Sequence, residues 1–173
     1  MGLDITWHRN LTKAVGNEAF DEHGDLRYDD DWFQLYINGD FSGRADEIEG
    51  RAAYCSEESG TFAAGSYRGY NVWRDQLAEL AGYPKAQYEQ YGGPWESHCV
   101  SCWNGTTGPF AELINFSDCE GTIGAAVSAK LAADFADHQA KADAHPDARF
   151  REKYALWRHA FEKVAAGGCV KFH

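Results

Sequence analysis

The chain has 173 residues, 27 acidic and 16 basic, giving a formal net charge of −11, with 44% hydrophobic and 14% aromatic residues. This length and composition predict a single globular domain over residues 1–173, and the aromatic content excludes disorder. The charge excludes direct nucleic-acid binding through a basic groove, because counterion release needs clustered Lys and Arg.

No apolar run approaches the length that spans a bilayer, and no basic, apolar leader opens the chain, so a cytoplasmic protein with no membrane association is expected. The acidity is uneven: residues 1–60 carry 14 acids and five bases, net −9, which leaves net −2 for residues 61–173. Leu3, Ile5 and Trp7 alternate with polar residues and predict an opening strand, which outweighs the loose Gly2 and Thr6 acylation pattern. Asp21, Glu22, Asp25 and Asp29–Asp31 then form an acidic stretch. A solvated loop is the first reading; a cation site and a surface that imitates nucleic-acid phosphates are the alternatives, though DLRYDDDW lacks the ligand spacing of a calcium loop.

Trp32–Ile37 predicts a second strand with Asn38 and Gly39 as the turn after it, and further strands are expected over Ile48–Cys55 and Thr61–Ala64. Tyr70, Trp73, Leu77 and Leu80 share one face of a helix that ends near Gly82. Residues 84–109, with three prolines and several glycines, predict a long irregular connection, and loops of that length usually have a task. Ile123, Val127, Leu131 and Phe135 predict a second helix that ends before Pro146. Pro146 and Asp147 open a third, with Phe150, Tyr154, Trp157, Phe161 and Val164 as its apolar stripe. Gly167 and Gly168 stop it, and Cys169–His173 predicts a closing strand. The fold class is α+β: a mostly antiparallel sheet from the N-terminal half packed by about three helices from the C-terminal half.

Two segments join a strand to a helix through small and polar residues, where free backbone N–H groups suit an anion. The first, residues 63–74, offers Ser66, Tyr67, Arg68, Asn71 and Arg74. The second, residues 113–124, offers Asn115, Ser117, Asp118 and Glu120, with Ser117 and Glu120 at capping-box spacing. Two well-capped helices account for the same residues, and Asp118 and Glu120 repel phosphate unless a cation intervenes. Tyr67, Tyr70, Trp95 and Trp103 supply flat faces for a base.

Five cysteines in a cytosolic chain are expected to stay reduced. No cofactor is expected; the weak zinc candidates are His98, Cys99, Cys102 and Cys119, a CxxC with a preceding His and no second CxxC. Trp103–Gly105 continue that motif as a loop, unlike the helix that follows a thioredoxin-type pair. Cys119 lies between Asp118 and Glu120, which disfavour a thiolate. No nucleophile elbow, P-loop, dinucleotide fingerprint or HExxH is present, and His138, His145 and His159 read as helix-surface residues.

The opening MGLDIT, the segments GSYRGYNVWRDQLAELAGYP and GPFAELINFSDCEGTIGAAVSAKLAADF, and the ending AFEKVAAGGCVKFH resemble a family of small, functionally uncharacterised proteins of bacteria and their phages. The resemblance implies a bacterial or phage cytosolic setting, in which counter-defence is a natural role. It assigns no activity to particular residues. The expected function is non-enzymatic binding of a small, nucleotide-type ligand, as a sponge for a nucleotide signal. An acidic module that binds a host protein, or imitates nucleic acid, is the alternative, and a small hydrolase or nucleotide-processing enzyme is a third.

Overall fold

A computed structural model describes residues 2–27, 31–103, 105–116 and 121–173. The opening alternation becomes strand β1 (Gly2–Lys13), which buries Leu3, Ile5 and Trp7 on one face. It lies at the centre of an antiparallel sheet between β3 (Ala53–Ser66) and β7 (Cys169–Phe172), with β2 (Phe33–Gln34) and β6 (Gly121–Gly124) at the edges in the order β2-β3-β1-β7-β6.

Ile48–Cys55 and Thr61–Ala64 are expected as separate strands, whereas the single strand β3 starts later and runs straight through the polar stretch between them. The polar side chains have partners across the strand: Glu58 pairs with Arg9 and Lys163, and Asn10 donates to Glu57. Gly60 is the position where Trp7 crosses β3, since a Cβ there would meet the indole at 2.5 Å. The strand expected over Trp32–Ile37 shortens to two residues. Leu35 and Ile37 instead pack with Ala45, Ile48, Tyr54 and Cys169 into a small second core on the other face of the sheet.

Helix α1 (Tyr67–Ala81) follows β3 directly; the Ser66 hydroxyl caps it by accepting from Gly69 N, and Gly82, at φ 89°, ends it in the left-handed conformation. A short α2 (Ala111–Ile114) precedes β6, and α3 (Ala125–Asp137) and α4 (Gln139–Asp143) follow it. Ile123, expected as the first apolar residue of the second helix, lies on β6, where pairing with Val170 holds it in the sheet. Asp147 caps α5 (Ala148–Val164) by accepting from Arg149 N. The apolar faces of α1, α3 and α5 cover the main core over β1, β6 and β7. No helix among the described residues is long and apolar enough to cross a membrane.

The connection over 84–109 contains a hairpin, β4 (Ala86–Gln90) and β5 (Gly93–Ser97), and a 3-10 turn over Cys99–Cys102. Tyr91 and Gly92 form its two-residue loop with φ of 53° and 77°, the left-handed pair that matches strand twist.

His8, on β1, is 9% exposed; it stacks on Phe33 at 3.9 Å, and its Nδ1 lies 3.2 Å from Ser56 Oγ. Burial, and then the charges of Lys171 and His173, push its pKa down from 6.5 to about 4. The folded protein therefore binds this proton more weakly than the unfolded chain, so the stability it protects is complete above pH 6.5 and lost as the pH falls towards 4. Urea denaturation across that range is expected to show a loss of about 3 kcal/mol from this group, and His8→Gln is expected to flatten the profile by that amount.

Candidate functional site

Helix α1 buries Tyr70, Trp73, Leu77 and Ala78 against the core. Arg68, Val72 and Gln76, at i, i+4 and i+8, form one row on its outer side, and Val72 is 54% exposed. Two grooves flank this row and share all three residues. The larger, about 720 Å³, lies between α1 and the β4–β5 hairpin; the smaller, about 480 Å³, lies between α1 and α5.

The hairpin wall is held by one carboxylate. Asp75 Oδ1 accepts from Ser97 Oγ at 2.6 Å, from His98 N at 2.6 Å and from Cys99 N at 3.2 Å, which fastens the end of β5 and the 3-10 turn to the middle of α1. The Tyr83 carbonyl accepts from His98 Nδ1 at 2.6 Å, and Ser101 Oγ donates to the Pro84 carbonyl, closing the base of the hairpin. Trp95 Nε1 donates to the Gln90 carbonyl and Tyr88 meets Trp103 edge to face at 5.2 Å, so the rings hold set orientations.

The larger groove is walled by aromatic rings: Tyr67 from α1, Tyr88, Tyr91 and Trp95 from the hairpin, and Trp103 just after the 3-10 turn. Tyr91, Trp95 and Trp103 are 90%, 51% and 44% exposed, an unusual concentration of uncovered ring surface. Asn71 and Arg74 also line it. Arg74 is only 7% exposed and lies over the Tyr70 ring at 5.2 Å. It donates from Nη1 to the Ile114 carbonyl and from Nη2 to Asn71 Oδ1, and its buried Nε has no hydrogen-bond partner among the described residues.

Of the nine sequence candidates, Tyr67, Arg68, Asn71 and Arg74 line the aromatic groove, and Ser66 and Arg68 line the smaller one. The Ser66 hydroxyl is occupied as the α1 cap. Asn115 ends α2, its N–H bonded to the Ala111 carbonyl, and lines neither groove. Ser117, Asp118 and Glu120 lie outside the described residues, as do Cys119, Asp29 and Asp30. The second strand-to-helix segment does come close to α1, through the Arg74 bond to Ile114 and a bond from Tyr70 Oη to the Phe116 carbonyl.

That segment differs from the expectation of an open helix end. The α3 N-terminus already holds an anion, because Glu47 Oε1 accepts from Ala126 N at 3.0 Å. Any side chain at Gly124 would run into the same carboxylate. The acidic first third is thus partly consumed in holding the fold.

Burial is the largest cause that pushes the thiols of Cys99 and Cys102 up to about 11, which disfavours the thiolate needed for metal binding or nucleophilic attack. Among the described residues no group of three His, Cys, Asp or Glu side chains is placed to hold a metal ion. The groove residues missed from the sequence include Val72, Asp75 and Gln76 on α1, Arg149 and Lys153 on α5, and Tyr88, Gln90 and Tyr91, whose signal is the alternation in QYEQYGGPW around a Tyr-Gly turn. The chain matches no protein family, no curated protein and no solved structure.

Replacing Asp75 by Ala leaves Ser97 Oγ and His98 N without their acceptor, while Cys99 N keeps its bond to Ser97 Oγ. The variant is expected to lose about 1–3 kcal/mol in denaturant unfolding, and native-state hydrogen exchange is expected to speed up over residues 86–103 while α5 stays protected.

Proposed function

We propose that the aromatic groove binds a small planar ligand of the nucleotide type, as a binding protein and not as an enzyme. The observation that carries this reading is the set of exposed rings, Tyr91, Trp95 and Trp103, facing α1 across a groove of about 720 Å³. Stacking a base on an aromatic side chain contributes about 1–3 kcal/mol, and Asn71, Gln76 and Gln90 add polar groups at the edge of the groove that suit a base. In the bacterial or phage setting that the sequence resemblance implies, such a protein sequesters a nucleotide signal.

The acidic first third supports the competing role, a protein-binding or nucleic-acid-mimicking module, less well. Glu47 caps α3, Glu49 pairs with Lys13, Glu58 pairs with Arg9 and Lys163, and Asp21 accepts from the backbone of His23 and Asp25. Carboxylates engaged within the fold are less available to a basic partner. An enzymatic reading requires a nucleophile or acid–base pair in a groove, and Cys99, the thiol that lines the aromatic one, is held protonated by burial.

Thermal unfolding with nucleotides, cyclic dinucleotides and ADP-ribose derivatives tests the proposal. A ligand at one hundred times its dissociation constant is expected to stabilise the protein by about 2.7 kcal/mol. Trp95→Ala and Trp103→Ala are each expected to reduce that gain. The reading fails if no member of the panel raises the melting temperature, or if the gain survives in the double variant.

A further inference from the structure

The cleft on the other side of α1 has a different chemistry from the aromatic groove. Its walls bring Arg68, Arg149 and Lys153 together against one carboxylate, Asp147, a local excess of cations in a chain of net charge −11. Two of these four groups are committed to the fold. Lys153 Nζ donates to the Ala64 carbonyl at the junction of β3 and α1, and burial lowers its pKa. Asp147 accepts from Gln76 Nε2 and from Arg149 N, and these bonds hold its carboxyl below the ordinary range. The guanidinium groups of Arg68 and Arg149, by contrast, make no hydrogen bond or ion pair among the described residues. They stand at opposite walls of a cleft of about 480 Å³, one on α1 and one on α5.

We propose that this cleft holds the phosphates of the ligand whose base stacks in the aromatic groove, which makes the ligand a nucleotide carrying at least two phosphates. The proposal rests on the base-stacking reading above and adds the second half of the ligand. Arg68, Val72 and Gln76 border both grooves, so a single molecule lying across Val72 places a ring among the hairpin aromatics and a phosphate chain between Arg68 and Arg149. Guanidinium groups suit this task, because their planar donors meet phosphate oxygens in pairs. The two arginines are exposed, so the interaction weakens as salt screens it.

The test is calorimetric titration of the full chain, at low and at moderate salt, with inorganic pyrophosphate, with the four ribonucleosides and with their 5′-diphosphates. The preferred diphosphate is expected to bind at least about tenfold more tightly than its nucleoside, a margin of about 1.4 kcal/mol, and the margin shrinks as salt rises. Arg149→Gln is expected to collapse that ratio towards one, and the Arg68→Gln, Arg149→Gln double variant to abolish binding of pyrophosphate. Unchanged melting temperatures confirm that these variants stay folded. If diphosphates bind no better than nucleosides and pyrophosphate ignores both substitutions, the phosphate cleft is wrong while base stacking stands. If pyrophosphate binds through the two arginines and no nucleoside or nucleotide engages Trp95, the cleft stands and the base-stacking reading is wrong.

Discussion

Trp157, in the middle of α5, stacks on Trp73 of α1 with ring centroids 5.4 Å apart and on Tyr70 at 5.7 Å. Phe62 of β3 meets it edge to face at 5.0 Å, and Phe172 of β7 lies 5.5 Å away, so one fully buried indole ties two helices to two strands. The indole N–H groups of Trp73 and Trp157 are both buried with no hydrogen-bond partner among the described residues, which costs stability. The stack therefore persists through the area and dispersion it buries. Both grooves depend on it, because α1 is a wall of each and its position over the sheet is set by these rings.

What stands against α1 differs on its two sides, and so does the chemistry. On one side α5 packs directly, through rings at the level of Trp73 and Phe150 and through the bond from Gln76 to Asp147, and leaves a cleft with cationic walls. On the other side the hairpin meets the helix through a polar clamp, and its rings stay uncovered. A hairpin of two strands is marginal alone in water, so Asp75 and its donors are what place those rings opposite Tyr67. The acidic residues serve the same fold: Glu47 reaches from the loop before β3 to cap α3, and Glu58 joins β3 to β1 and α5.

The parts readable from the sequence are those fixed by local periodicity. The alternation of Leu3, Ile5 and Trp7 gives the central strand, and the aromatic stripes of α1 and α5 are apparent because 3.6-residue spacing leaves few other readings. Ser66, Gly82 and Asp147 act at the helix ends where their residue types suggest. Most of the misreadings are long-range. Residues 56–60 are too polar to announce a strand, yet β3 runs through them because Arg9, Asn10 and Lys163 meet their carboxylates and Trp7 covers Gly60. Ile123 fits a helical stripe equally well, and only pairing with β7 assigns it to β6. Tyr91 in a left-handed turn is a rare choice that hides a hairpin. One wall of the candidate site, Tyr67 to Arg74, was therefore accessible from the cap and the residues after it. Of the opposite wall, Trp95 and Trp103 were accessible as flat faces for a base, but Tyr88, Tyr91 and the clamp were not, because Asp75 looks like any polar residue on a helix until β5 lies beside it.

The most direct test of the binding site is the indole N–H region of a proton–nitrogen correlation spectrum, recorded as a nucleoside diphosphate is titrated into the protein. The six tryptophans occupy distinct environments: Trp95 and Trp103 line the aromatic groove, whereas Trp73 and Trp157 are buried in the core. Ligand is expected to move the Trp95 and Trp103 signals in a saturable way and to leave that of Trp157 in place. Saturable shifts confined to other residues, or a spectrum unchanged at millimolar ligand, contradict the assignment of the aromatic groove as the binding site.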